Sequence, residues 1–135
     1  MNGSFLFQTE LEPDGKGSHW FRIDQTTCEA IGAEEGDTIV LAFKLLSEWP
    51  EPTVPSDLYE ALLVSSEAHT VWLEITPMAR WDWIRWIRST ENAETRKGRI
   101  KNACNMLSVD KRRPCCFNRN LCTETYVSKN GILLA

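Results

Sequence analysis

Histidine is scarce in this 135-residue chain, where His19 and His69 are the only two. Neither has the spacing that would join it to a nucleophile in a triad or to further ligands in a metal motif, so no catalytic residue, cofactor site or metal site is named. The five cysteines include no Cys-x-x-Cys pair, the spacing that usually marks zinc. Cys104, Cys115, Cys116 and Cys122 crowd into the last third, and Cys28 stands apart. An odd count with two adjacent thiols fits reduced cysteines better than a disulfide framework, and a zinc site from Cys115, Cys122 and His69 has little support. Long apolar runs are missing as well. The longest, Ile39 to Phe43, falls far short of the ~20 residues that span a bilayer. No cleavable apolar segment follows Met1, so a cytoplasmic protein without a membrane span is expected. The length allows one domain or two very small ones, and 42% hydrophobic with 25% charged residues is globular composition.

Positive charge is nearly missing from the first half. Up to Ile75 only Lys16, Arg22 and Lys44 are basic, against fourteen carboxylates, whereas from Thr76 onward twelve Lys and Arg face five Asp and Glu. Such a division has two readings: an anion-binding half, or two parts of one fold or assembly that attract each other. Under the first reading, Arg80, Arg96, Arg99, Lys111, Arg112 and Arg113 are the candidate anion-binding or partner-binding residues, with Arg85 and Arg88 nearby, because guanidinium forks suit phosphate oxygens. No helix-turn-helix or zinc-finger spacing supports the reading of bases.

Phe5, Phe7, Thr9 and Leu11 alternate with Leu6, Gln8 and Glu10, a period of two that predicts a half-buried strand. Pro13 to Ser18 is a turn, and Trp20 to Ile23 is the expected returning strand. Asp24 caps a short helix to Ile31, which Gly32 stops in a left-handed conformation. Thr38 to Leu46 is expected as a strand with apolar residues on both faces, so both faces need cover. Trp49 to Pro55 holds three prolines and serves as a linker. Helices follow: Leu58 to Val64, capped by Ser56-Asp57; Ser65 or Ser66 to about Glu74; Pro77 to about Ser89, with Thr76 as N-cap; and Ala93 to Leu107. Trp81, Trp83 and Trp86 on the third of these are either core or an aromatic platform stacked with Arg80 or Arg85. Past Cys115 no period persists, and the last twenty residues are expected to be irregular. The resulting layout is residues 1–48, a linker at 49–55, a helical domain at 56–117 and a tail at 118–135, α+β in class.

The run from Arg22-Ile23-Asp24 through Ile31-Gly32-Ala33-Glu34-Glu35-Gly36-Asp37-Thr38-Ile39-Val40 resembles the helix, glycine, Gly-Asp and strand sequence of the AbrB-like swapped-hairpin half-barrel. From Val54 onward the chain resembles the YdeI or OmpD-associated family, also called bacteriocin-protection proteins. Val54-Pro55-Ser56-Asp57-Leu58, Ile75-Thr76-Pro77-Met78-Ala79-Arg80, Trp86-Ile87, Glu94-Thr95-Arg96, Arg99-Ile100 and Lys111-Arg112-Arg113-Pro114-Cys115-Cys116-Phe117 carry that likeness. Relatives of that kind hold two half-barrel repeats before the helices, and Met1-Asn2-Gly3 matches the start of the second. The resemblance therefore implies a half-barrel completed by a homodimer. It also implies a role in tolerance to bacteriocins or cationic antimicrobial peptides and no established reaction. A protein or anionic partner at the basic half, including nucleic acid, is the competing expectation.

Overall fold

The helices begin where the side chains that terminate them dictate. In the computed structural model, which describes residues 6–115 and 117–134, α1 spans Gln25–Ile31. Asp24 Oδ1 accepts from the Thr27 amide at 2.7 Å, and Gly32 closes the helix at φ 68°. The predicted cap and stop are both present. α2 runs over Ser56–Val64, α3 over Ser66–Glu74, α4 over Pro77–Arg88 and α5 over Ala93–Ser108. Thr76 Oγ1 accepts from Ala79 N at 3.2 Å with Pro77 in the first turn, and Asn92 Oδ1 accepts from Thr95 N at 2.9 Å. At α2 the expected Ser56-Asp57 cap is replaced by Pro55 at the N-cap without a side-chain bond. Asp57 Oδ1 accepts from the Leu58 amide at 2.9 Å within that first turn, and the same carboxylate meets Arg96.

Four of these helices make the core. α5 packs on α2, α3 and α4, and the buried residues come from all four: Leu58 and Leu62, Ala68 and Trp72, Trp83 and Ile87, Ile100, Ala103 and Leu107. The i, i+3, i+4, i+7 face read at Ile100, Ala103, Cys104 and Leu107 is the buried face of α5. Of the tryptophans of α4, Trp83 belongs to this core and Trp86 packs against it. Trp83 is fully buried and donates its indole N–H to Arg112 O at 3.1 Å, while Trp86 sits edge-on to it.

The segments around Glu12 and from Arg119 to Glu124 lie over the remaining face of α4. The hairpin turn expected at Pro13 to Ser18 forms, but its ladder is minimal: β1, Glu12–Pro13, pairs with β2, His19–Trp20. The strand expected over Phe5 to Leu11 has no ladder at residues 6–11, and Phe5 is outside the described residues. The expected strand Thr38 to Leu46 is also unpaired among the described residues. Cover is partial at best, with Val40 97% and Leu45 89% exposed against 39% at Ile39 and 43% at Leu41, and Phe43 rests edge-on against Phe21. Alternation identifies which residues want burial; what buries them is a matter of tertiary structure.

A hairpin also forms in the segment expected to be irregular. β3, Ser128–Lys129, pairs with β4, Ile132–Leu133, around Asn130-Gly131, whose φ values are 54° and 80°. Two consecutive positive φ angles define the turn that the Asn-Gly dipeptide favours. This hairpin is tied to the first one, since Leu133 N donates to Asp14 O at 2.8 Å. Among the described residues the architecture is α+β, five helices with two small antiparallel hairpins. No described helix is long and apolar enough to cross a membrane.

Candidate functional site

Five of the six basic residues singled out in the sequence are held by groups of the same chain. Arg80 donates through Nη1 to Trp72 O at 2.9 Å, at the C-terminal end of α3, and through Nη2 to Glu51 at 3.0 Å. Arg96 grips Asp57 with Nε at 2.7 Å and Nη2 at 3.0 Å. That hydrogen bonding holds the Asp57 carboxyl below its usual range and raises the Arg96 guanidinium above its own. Arg99 donates to Trp86 O and Ser89 Oγ. Arg112 meets Glu74 and Asp110, and Arg113 meets Asp82. Lys111 is exposed. Three of these carboxylates, Glu51, Asp57 and Glu74, belong to the acidic first half, so the charge division of the sequence becomes pairing within one molecule.

A different cluster gathers on α4. Met78, Trp81, Asp82, Arg85 and Arg88 share the face turned away from the helical core, as their three- and four-residue spacing requires. Asp82 and Arg85 are buried. Asp82 Oδ2 accepts from Arg113 and from Arg119. Glu12 of β1 brings Oε2 to 3.0 Å from both Arg85 Nε and Arg88 Nη2, and Arg88 continues to Glu124 and Thr123. The Glu12 contacts have ion-pair distance but not hydrogen-bond direction, and Arg85 Nη2 has no hydrogen-bond partner among the described residues. The Arg85 guanidinium also lies 5.3 Å from the Trp81 ring centre and 5.6 Å from that of Trp49. The stacking foreseen for Arg80 or Arg85 is thus realised by Arg85.

This cluster opens into a pocket of about 300 Å³ between the first hairpin, Trp49, α4 and the Arg119-Asn120 segment. Trp49 belongs to the proline-rich linker, which is tied down here: Trp81 Nε1 donates to Pro50 O at 2.7 Å, and Pro52 is buried. Arg85 stands among the basic residues of the sequence, and its burial was missed there. The available clue was the crowding of Asp82 and Arg85 between three tryptophans on one short helix.

A broader groove of about 720 Å³ runs between the C-terminal end of α4 and the last hairpin, past Arg99, Phe117 and Cys122. Phe117 is half-buried there, and Cys116 beside it in the sequence is outside the described residues. Among the described residues no three His, Cys, Asp or Glu side chains gather as a metal site. Cys104 is buried in the core, which pushes its thiol above the ordinary value.

The fold and cluster define a small α+β protein whose helical core carries an ion-pair layer completed by Glu12 of the first hairpin and by the Arg119 to Glu124 segment. Residues 51–109, containing all of α2 to α5, match the family described as bacteriocin-protection, YdeI or OmpD-associated. No curated protein and no solved structure matches the chain.

Proposed function

We propose that this chain is a non-enzymatic protection protein of the cytoplasm. It contributes to tolerance of bacteriocins or cationic antimicrobial peptides, and works as a homodimer joined through an AbrB-like half-barrel in residues 1–48. The match of residues 51–109 to the bacteriocin-protection family carries the reading.

The dimer is supported by Thr38 to Leu46, which leaves Val40, Phe43, Leu45 and Leu46 exposed and has no ladder partner among the described residues. A strand of that kind is a template for pairing with a second chain. The exposed Lys97, Lys101 and Lys111 favour the competing reading, a nucleic-acid-binding regulator, and salt-sensitive retention on DNA or RNA decides for it. The test of the main reading is survival of cells lacking the gene when challenged with a cationic peptide. Restoration by wild type and not by Val40→Asp is expected. Equal survival with and without the gene overturns it.

A further inference from the structure

We infer that the pocket beside Arg85 binds a small organic anion, a carboxylate carried on a flat apolar body. The inference goes beyond the protection role and does not depend on it.

The first argument is charge. The cluster on and around α4 holds four guanidinium groups, Arg85, Arg88, Arg113 and Arg119, against three carboxylates, Glu12, Asp82 and Glu124. Among the described residues one positive charge is left over. The second is an incomplete donor set. Arg85 has a side chain only 7% exposed, lines the pocket, and keeps an Nη2 without any acceptor among the described residues. A buried donor left in that state is costly, and an arriving acceptor removes the cost. A carboxylate matches the guanidinium fork better than a neutral carbonyl does, because the hydrogen bond is charge-assisted.

The third argument is shape. The walls combine apolar surface from Leu11, Met78 and Trp49 with polar groups from Arg85, Arg119 and Ser18, and about 300 Å³ is the lower end of the range for small-molecule sites. Trp49 offers a ring face while remaining 42% exposed, so it can serve as a wall at the mouth. Asp82 also lines the pocket, but its Oδ2 already accepts from Arg113 and Arg119 and it repels an anion less than a bare carboxylate does.

The experiment titrates the full chain with benzoate, its neutral isostere benzamide, and inorganic phosphate, following the Arg85 Nε–H and Trp49 indole N–H signals by NMR. Saturable shifts of both signals with benzoate, and none with benzamide, are expected. Arg85→Lys keeps a positive charge beside Glu12 but loses the fork, and is expected to weaken benzoate at least about tenfold. Trp49→Ala removes the ring wall without touching the ion pairs and is expected to weaken benzoate but not phosphate. Equal binding of benzamide, phosphate as tight as benzoate in both wild type and Trp49→Ala, or shifts confined to surface lysines overturns the inference. The wild-type arms read the site even where Arg85→Lys fails to fold.

Discussion

Glu12 of the first hairpin and Arg85 of α4 meet in the interior, Oε2 to Nε at 3.0 Å, with side chains 9% and 7% exposed. Seventy-three positions separate them in the sequence. Removing water from two charges is expensive, and their attraction offsets the cost only while both are present. Glu12→Ala leaves Arg85 and Arg88 facing an empty position and is expected to lower stability by about 3–5 kcal/mol in denaturant titrations. The paired change Glu12→Leu with Arg85→Met is expected to cost less than Glu12→Ala alone. If both proteins match wild type, the hairpin does not sit on α4.

This pair marks the limit of what the sequence shows. The capping residues Asp24 and Thr76, the stop at Gly32 and the buried face of α5 were legible because each depends on side chains within one turn of the helix. Arg85 was read as surface because arginine is seldom fully buried without a partner, and its partner lies in a distant hairpin. The Asn130-Gly131 hairpin carried a local signal that the missing apolar period obscured. The strand expected at Thr38 to Leu46 failed for the opposite reason, since its pattern is local and its ladder partner is not.

The Asp57–Arg96 pair supplies a pH dependence. Hydrogen bonds from Arg96 chiefly lower the Asp57 carboxyl from its reference value of 3.8. A carboxyl lowered by folding contributes stability that is complete above the unfolded value and is lost as pH falls through the folded one. The side chains are 47% and 29% exposed, so solvent and salt screen the pair and the amount is about 0–1 kcal/mol. Acid unfolding below pH 4 is therefore expected to be steeper for wild type than for Asp57→Asn at low ionic strength. Identical curves remove the pair from the account of acid stability.

Two glycines of one turn separate backbone conformation from close approach. Gly15 and Gly17 both have positive φ, 80° and 90°. A Cβ on Gly17 meets nothing within 4 Å, whereas one on Gly15 would lie 2.2 Å from Gly131 O, at the contact of the two hairpins. Gly17→Ala is expected to cost about 1–2 kcal/mol for the left-handed conformation alone. Gly15→Ala is expected to cost more and to loosen the last hairpin, seen as faster exchange of the Leu133 amide. Equal denaturant midpoints for the two variants contradict the docking of β3 and β4 on the first turn.

Val40 is the position at which the proposed dimer is most exposed to refutation. Its side chain is 97% exposed in the single chain, whereas its neighbours Ile39 and Leu41 are 39% and 43% exposed. In a monomer an aspartate at Val40 replaces one solvated side chain by another, and stability should change by less than about 0.5 kcal/mol. In a dimer closed through this segment the same aspartate enters an apolar interface unpaired, where a buried charge is strongly unfavourable. Light scattering is expected to give twice the chain mass for wild type at micromolar concentration and a smaller mass, or an unfolded chain, for Val40→Asp. The helical core, from Leu58 to Leu107, lies apart from Val40 in sequence and is expected to keep its helical circular dichroism if residues 56–108 fold independently of the interface. A wild-type mass of one chain, together with a Val40→Asp protein as stable as wild type, removes the dimer and leaves Thr38 to Leu46 as a solvated segment.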